Sequence, residues 1–126
     1  MIKSAATKLQ LRKAAERRGR RGETLATLLL LCKGYRILGR RVKTRAGEID
    51  LIAKSLRGVV CFVEVKARPD EGLATEAIGA RQRARIVHAA GLYLAGKPWP
   101  ARFDVITVVP GRLPRHLKDA WRPDDI

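Results

Sequence analysis

Acidic residues are scarce in this sequence: 12 Asp and Glu stand against 27 Lys and Arg in 126 residues, a formal net charge of +15. An imbalance of that size speaks to partners rather than to fold, and in a soluble domain it points first to a polyanion such as nucleic acid. An anionic membrane surface or plain solubility is the competing account. The two cysteines, Cys32 and Cys61, each sit in an apolar run, and neither has a Cys or His at zinc-finger spacing, which argues against structural zinc. They read as small buried hydrophobes in a reducing, cytoplasmic compartment. Aromatics amount to 5%, too few for base stacking to be the main mode of contact, so duplex or branched DNA fits better than extended single strands. No window approaches the roughly 18 apolar residues of a membrane span, and no membrane partner is expected. The run Leu25 to Cys32 after Arg17, Arg18, Arg20 and Arg21 imitates an export signal, but Glu23 interrupts the charge and no small-residue cleavage site follows. His88 sits on an Arg-rich helical stretch, and His116 lies far along the chain with no partner in view. Neither supports His-based catalysis, and neither a Ser, His and Asp pattern nor a phosphate-cradling glycine loop is present.

What is present suffices for one core, since 46% of residues are hydrophobic and the length is that of a single domain. Residues 1–22, carrying Lys3, Lys8, Arg12, Lys13, Arg17, Arg18, Arg20 and Arg21, read as a basic arm or helix, with a solvated tail as the equal alternative. From Glu23 a packed helix is predicted, with Leu25, Leu28, Leu29 and Cys32 at spacings of three and four and a stop at Gly34. Strand signals follow at Tyr35 to Val42, Glu48 to Ala53 and Val59 to Ala67. A helix is predicted over Ala74 to Ala95, with Ala80, Ala84, Val87, Gly91 and Leu94 as its core face. Arg102 to Val109 reads as a last strand, and residues 111–126, with Pro114 and Pro123, read as an irregular tail. The fold class is α/β, a mixed sheet flanked by helices in the order α-β-β-β-α-β, with residues 23–110 as its domain.

In so acid-poor a chain, Glu48, Asp50 and Glu64 interrupt the most apolar, most strand-like segments. Alternation along a strand puts Glu48 and Asp50 on one face with Ile49 and Leu51 on the other, and Glu64 and Lys66 likewise on one face opposite Val63 and Val65. If Ala53 opposes Val59 across the second turn, Glu48 opposes Glu64 and Asp50 lies diagonally. Sliding the pairing by two residues puts Asp50 directly opposite Glu64 instead, and either register keeps them on one face. Carboxylates crowded this way repel, and a divalent cation relieves them. Mg²⁺ or Mn²⁺ takes oxygen ligands, so Asp50, Glu64 and the carbonyl of Val65 make a half-shell completed by water and phosphate. Lys66 would aim an ammonium at the same spot. Glu48 reads either as a further ligand or as a partner of Arg45 or Lys66, and the supporting role is favoured. Arg68, Arg81, Arg83 and Arg85 either track a phosphate backbone or form a solvated face.

Gly47-Glu48-Ile49-Asp50-Leu51-Ile52-Ala53 followed by Val63-Glu64-Val65-Lys66-Ala67-Arg68 resembles the metal-binding core of PD-(D/E)XK nucleases, archaeal Holliday-junction resolvases in particular. The whole stretch from about residue 15 to 109, with Gly22-Glu23, Gly34-Tyr35 and Arg102-Phe103-Asp104-Val105, is most similar to the small bacterial YraN-like family. The resemblance implies a restriction-endonuclease-like fold, Asp50 and Glu64 as metal ligands, Lys66 as catalytic and Glu23 as an added catalytic acid for a second metal or its water. Helix capping by the dipole is the other account of Glu23. Ile49 replaces the proline that names the superfamily, and Gln82 lacks a following Tyr, so the glutamine-tyrosine motif is absent. The expected activity is metal-dependent cleavage of DNA, with a non-catalytic nucleic-acid-binding accessory protein as the alternative. A homodimer and an activating protein partner are both left open.

Overall fold

The structure, a computed structural model, describes residues 5–69 and 78–123. Helix α1 (Ala5–Cys32) leads into three strands, β1 (Arg36–Thr44), β2 (Gly47–Lys54) and β3 (Val60–Ala67). Helix α2 (Ala80–Leu94) then precedes β4 (Ala101–Val108) and β5 (Arg115–Trp121). The expected start of α2 near Ala74, residues 1–4 of the arm and residues 124–126 of the tail lie outside the described residues. The strands form one five-stranded sheet in chain order. Every neighbouring pair is antiparallel except β3 and β4, which run parallel. A parallel pair needs a crossover, and the segment holding α2 supplies it.

Two cores result, one on each sheet face. Ala26 and Leu30 of α1 pack with Tyr35, Leu51, Ala53, Cys61, Val63, Ile106 and Val108. On the other face Ile86, Ala89 and Ala90 of α2 pack with Ile49, Ile52, Val60, Phe62, Phe103 and Trp121. The α/β mixed sheet expected from the sequence is the architecture observed, extended by a fifth strand.

The differences have physical causes. The tail is not irregular from residue 111: β5 pairs with β4, and stacking of Trp121 on Phe103 at 4.3 Å closes that edge of the core. The helix expected from Glu23 begins earlier, because α1 runs unbroken through residue 22. Gly22 serves close approach there, since a Cβ would stand 2.8 Å from that of Ala67. The helix stops where expected. Gly34 at φ 84° lets the Tyr35 N–H reach the Leu30 carbonyl at 2.9 Å and its own N–H reach Leu31 at 3.0 Å, a Schellman end. On α2 the core face is Ile86, Ala89 and Ala90 with Val87 and Leu94 at its margins, while Ala80, Ala84 and Gly91 are exposed. The larger side chain at Ile86 gains more from burial than the small residues of the expected stripe. Cys61 is buried, but Cys32 is exposed, because the last turn of α1 turns it away from the sheet.

Candidate active site

The β2–β3 register is the one slid by two residues, with Lys54 opposite Val60 and Leu51 opposite Val63, so the next position places Asp50 opposite Glu64. The ladder stops there. Beyond it, the main-chain N–H of Val65 donates to Asp50 Oδ2 at 2.8 Å, a side chain taking the place of a strand partner. Strict alternation fails at the same point, since Ile49 and Ile52 enter the α2-side core while Leu51 enters the α1-side core. Asp50 is thus turned into the gap where the two strands separate. In a strand the N–H and C=O of one residue face the same neighbour, so the Val65 carbonyl turns toward that gap as well.

Glu64 is 6% exposed, and its carboxyl shares a hydrogen bond with Asp50. Its Oε1 is buried with no hydrogen-bond partner. Burial, and then the charge of Asp50, push the Glu64 pKa up to about 9, so the metal-free site holds a proton on this pair. Asp50 is also raised by burial, against the lowering effect of the Val65 N–H. Lys66, two residues past Glu64 and on its face, is buried too.

Glu23 comes from α1, where Gly22 packs on Val65 and Ala67, and it lies near enough to act electrostatically on Asp50. It holds Arg41, whose Nε donates to Glu23 Oε2 at 2.6 Å. Arg41 was not legible as a site residue. Its signal was the hairpin count: Arg40 faces Leu51 and Val42 faces Ile49, so Arg41 falls opposite Asp50. Arg41, Asp50 and Glu64 therefore stand in one row across three strands. The backbone at Arg41 is left-handed, φ 49°, which is uncommon for a side chain of this size. Glu48 is exposed at the edge of the group and acts on Asp50, Glu64 and Arg41 through its charge.

Among the described residues, no three His, Cys, Asp or Glu side chains are gathered into a closed cage for a cation. The donors on offer are two carboxylates and a main-chain carbonyl. That set fits Mg²⁺ or Mn²⁺, which keep several waters and bind through one or two carboxylates plus substrate phosphates. The orphaned Glu64 Oε1 is the atom such an ion would satisfy.

The arginines divide. Arg81 and Arg85 are exposed one turn apart on α2. Arg83 instead turns toward the core edge, its guanidinium 5.9 Å from the Trp121 ring centre and its Nε buried without a partner. Arg68 bonds the neighbouring Ala67 carbonyl at 3.3 Å. His116 has partners that its place in the sequence hid: its Nε2 lies 2.8 Å from Asp104 Oδ2 and its Nδ1 lies 2.6 Å from Lys33 Nζ. Arg102 also grips Asp104 with two bonds of 2.8 Å and bonds the Tyr35 hydroxyl. An ammonium can only donate, so His116 accepts at Nδ1 and carries its proton on Nε2 toward Asp104. This buried network ties β5 to β4 and to the end of α1.

Residues 22–108 match the sequence profile described as Uncharacterised protein family UPF0102. The chain belongs to the UPF0102 (YraN) family. A UPF0102 protein of Parvibaculum lavamentivorans is 53% identical over 114 residues, 87% of this chain and 85% of its own. One from Maricaulis maris is 47% identical over 118 residues, covering 90% and 92%. One from Agrobacterium fabrum is 48% identical over 115 residues, covering 87% and 93%. The stretch shared by UPF0102 contains every acid of the site and Lys66, whereas the basic segment before residue 22 lies outside the profile. Among the described residues no helix is long and apolar enough to cross a membrane.

Proposed function

We propose that this UPF0102 protein is a Mg²⁺- or Mn²⁺-dependent endodeoxyribonuclease acting on duplex or branched DNA. The observation that carries the reading is Glu64: a carboxyl oxygen buried without a partner, pressed against Asp50, with Lys66 buried on the same face. Leaving such a group unsatisfied costs about 1–3 kcal/mol, and a purely structural role gives no return for it. Asp50, Glu64 and the Val65 carbonyl would hold the ion, which when bound supplies Lewis acidity at a phosphoryl oxygen and a more acidic water. Lys66 donates toward the attacking oxygen or the phosphate and stabilises the charge that develops there. Glu23 and Glu48 add negative potential at the rim, and Arg41 offsets it. Exposed Arg81 and Arg85 offer contacts to the phosphate backbone.

The test uses labelled linear, nicked and four-way DNA with Mn²⁺. Cleavage by the wild type should vanish in Asp50→Ala, Glu64→Ala and Lys66→Ala while binding persists. Undiminished cleavage in all three would remove the assignment. Salt-sensitive binding with no cleavage under any divalent ion would favour the accessory-protein reading.

A further inference from the structure

Contact between α1 and the sheet begins abruptly. A Cβ on Gly22 would stand 2.8 Å from that of Ala67, whereas one on Gly19, a turn earlier, would meet nothing within 4 Å. The buried residues of the helix, Gly22, Ala26, Thr27 and Leu30, all lie past that point, and none is buried from Thr7 to Arg21. The helix nevertheless continues unbroken back to Ala5. Residues 5–21 are therefore a cantilever of about 25 Å at 1.5 Å per residue. Its root is at the acid cluster, because Gly22 rests on Val65 and Ala67 and the next residue, Glu23, holds Arg41.

Along the cantilever stand Lys8, Arg12, Lys13, Arg17, Arg18, Arg20 and Arg21, with Glu16 as its one acid. Lys8 and Arg12, Lys13 and Arg17, and Arg17 and Arg21 are like-charged neighbours four residues apart, each pair weakening an isolated helix. A solvated helix of this length is marginal alone, and a polyanion lying against it removes the repulsion. A bilayer is the poorer fit. Leu9 and Leu11 are the arm's large apolar side chains, and positive charge surrounds the helix rather than leaving one apolar face to insert.

We infer that this arm lies along the phosphate backbone of duplex DNA on one side of the acid cluster and sets a minimum duplex length there. The inference rests on the nuclease reading for where the substrate sits. At 3.4 Å per base pair, 25 Å spans about 7 base pairs.

The experiment measures affinity of the full chain for duplexes of increasing length, without divalent ions, at several salt concentrations. The variant Arg12→Gln/Lys13→Gln/Arg17→Gln/Arg18→Gln should reach its plateau at a duplex shorter by about 7 base pairs. Each lost contact flattens the log–log salt slope by about 0.9, so the wild-type advantage should shrink by up to about a hundredfold between 50 and 200 mM salt. Arg12→Lys/Arg17→Lys/Arg18→Lys should behave as wild type, and helicity by circular dichroism should rise on adding duplex. Unfolding temperatures equal to wild type verify that the body is intact. Wild-type slope and length dependence in the Gln variant would overturn the arm's role and leave the nuclease reading standing. A wild type that binds no duplex would overturn that reading itself. Binding to phosphatidylserine vesicles in place of DNA would reassign the arm to membranes.

Discussion

Asp50 Oδ2 accepts the main-chain N–H of Val65 at 2.8 Å, one position beyond the last β2–β3 ladder pair. A side chain thereby finishes what the strand begins, and the two strands separate around a carboxyl pair. The substitution Asp50→Asn keeps an acceptor for that N–H and removes the repulsion with Glu64. Its unfolding temperature should equal or exceed wild type, while Mn²⁺ affinity by calorimetry falls at least tenfold. Asp50→Ala leaves the Val65 N–H unsatisfied and should cost about 1–3 kcal/mol. Equal Mn²⁺ affinity in Asp50→Asn would show that the pair is not the cation site.

Glu64 gives a pH dependence of definite sign. Its folded pKa, near 9, lies above the ordinary carboxylate value, so between pH 4.5 and 9 the folded state holds a proton that the unfolded state has released. Stability of the metal-free protein should therefore fall as pH rises through that window, by up to about 1.4 kcal/mol per pH unit. Glu64→Gln should flatten this fall and melt higher than wild type at pH 8. Thermal melts of both proteins from pH 5 to 9 decide it; parallel curves would mean Glu64 is not protonated in the fold.

Asp104 behaves oppositely. Burial raises its pKa, but the bonds from His116, Arg102 and the Asp119 N–H outweigh burial and bring it down to about 2. Its contribution is complete above the unfolded value near 4 and is lost as pH falls toward 2. His116→Ala removes one of those donors and leaves Lys33 without its acceptor, so it should destabilise by about 2–3 kcal/mol and loosen β5. Hydrogen exchange at the β4–β5 ladder is the readout, and unchanged protection would contradict a pinning role.

Two glycines a turn apart on α1 should respond with opposite signs. Gly19→Ala has open space and should gain up to about 1 kcal/mol of helix propensity. Gly22→Val drives a side chain into Ala67 and Val65 and should cost about 1–3 kcal/mol. Denaturant titration of both variants checks the pair; equal effects would refute the close approach.

Arg41 faces Asp50 across β1–β2 and holds Glu23, so it is the near counter-charge of the cluster. Arg41→Gly also relieves the left-handed backbone. Mn²⁺ affinity should rise severalfold at low salt and the gain should shrink as salt screens it. Loss of affinity would show that Arg41 organises the site rather than competing with the ion.

Local chemistry made much of this protein legible in one dimension. The period-two runs around Ile49 and Val63, the Gly34 stop and the crossover between β3 and β4 follow from side-chain alternation, left-handed backbone tolerance and chain reach. So does the convergence of Asp50 and Glu64, because carboxylates inside apolar strands stand out in a chain short of acids. Register, however, differs by a two-residue slide of one strand along the other, and only packing of Leu51, Ala53, Cys61 and Val63 under α1 selects it. Arg41 and His116 were hidden for the same reason: their partners, Glu23 and Asp104, are brought to them by sheet pairing and helix docking rather than by neighbourhood in the chain. The fifth strand also depended on tertiary structure, since a proline-flanked polar segment gains a reason to extend only once Phe103 offers Trp121 a surface to stack on.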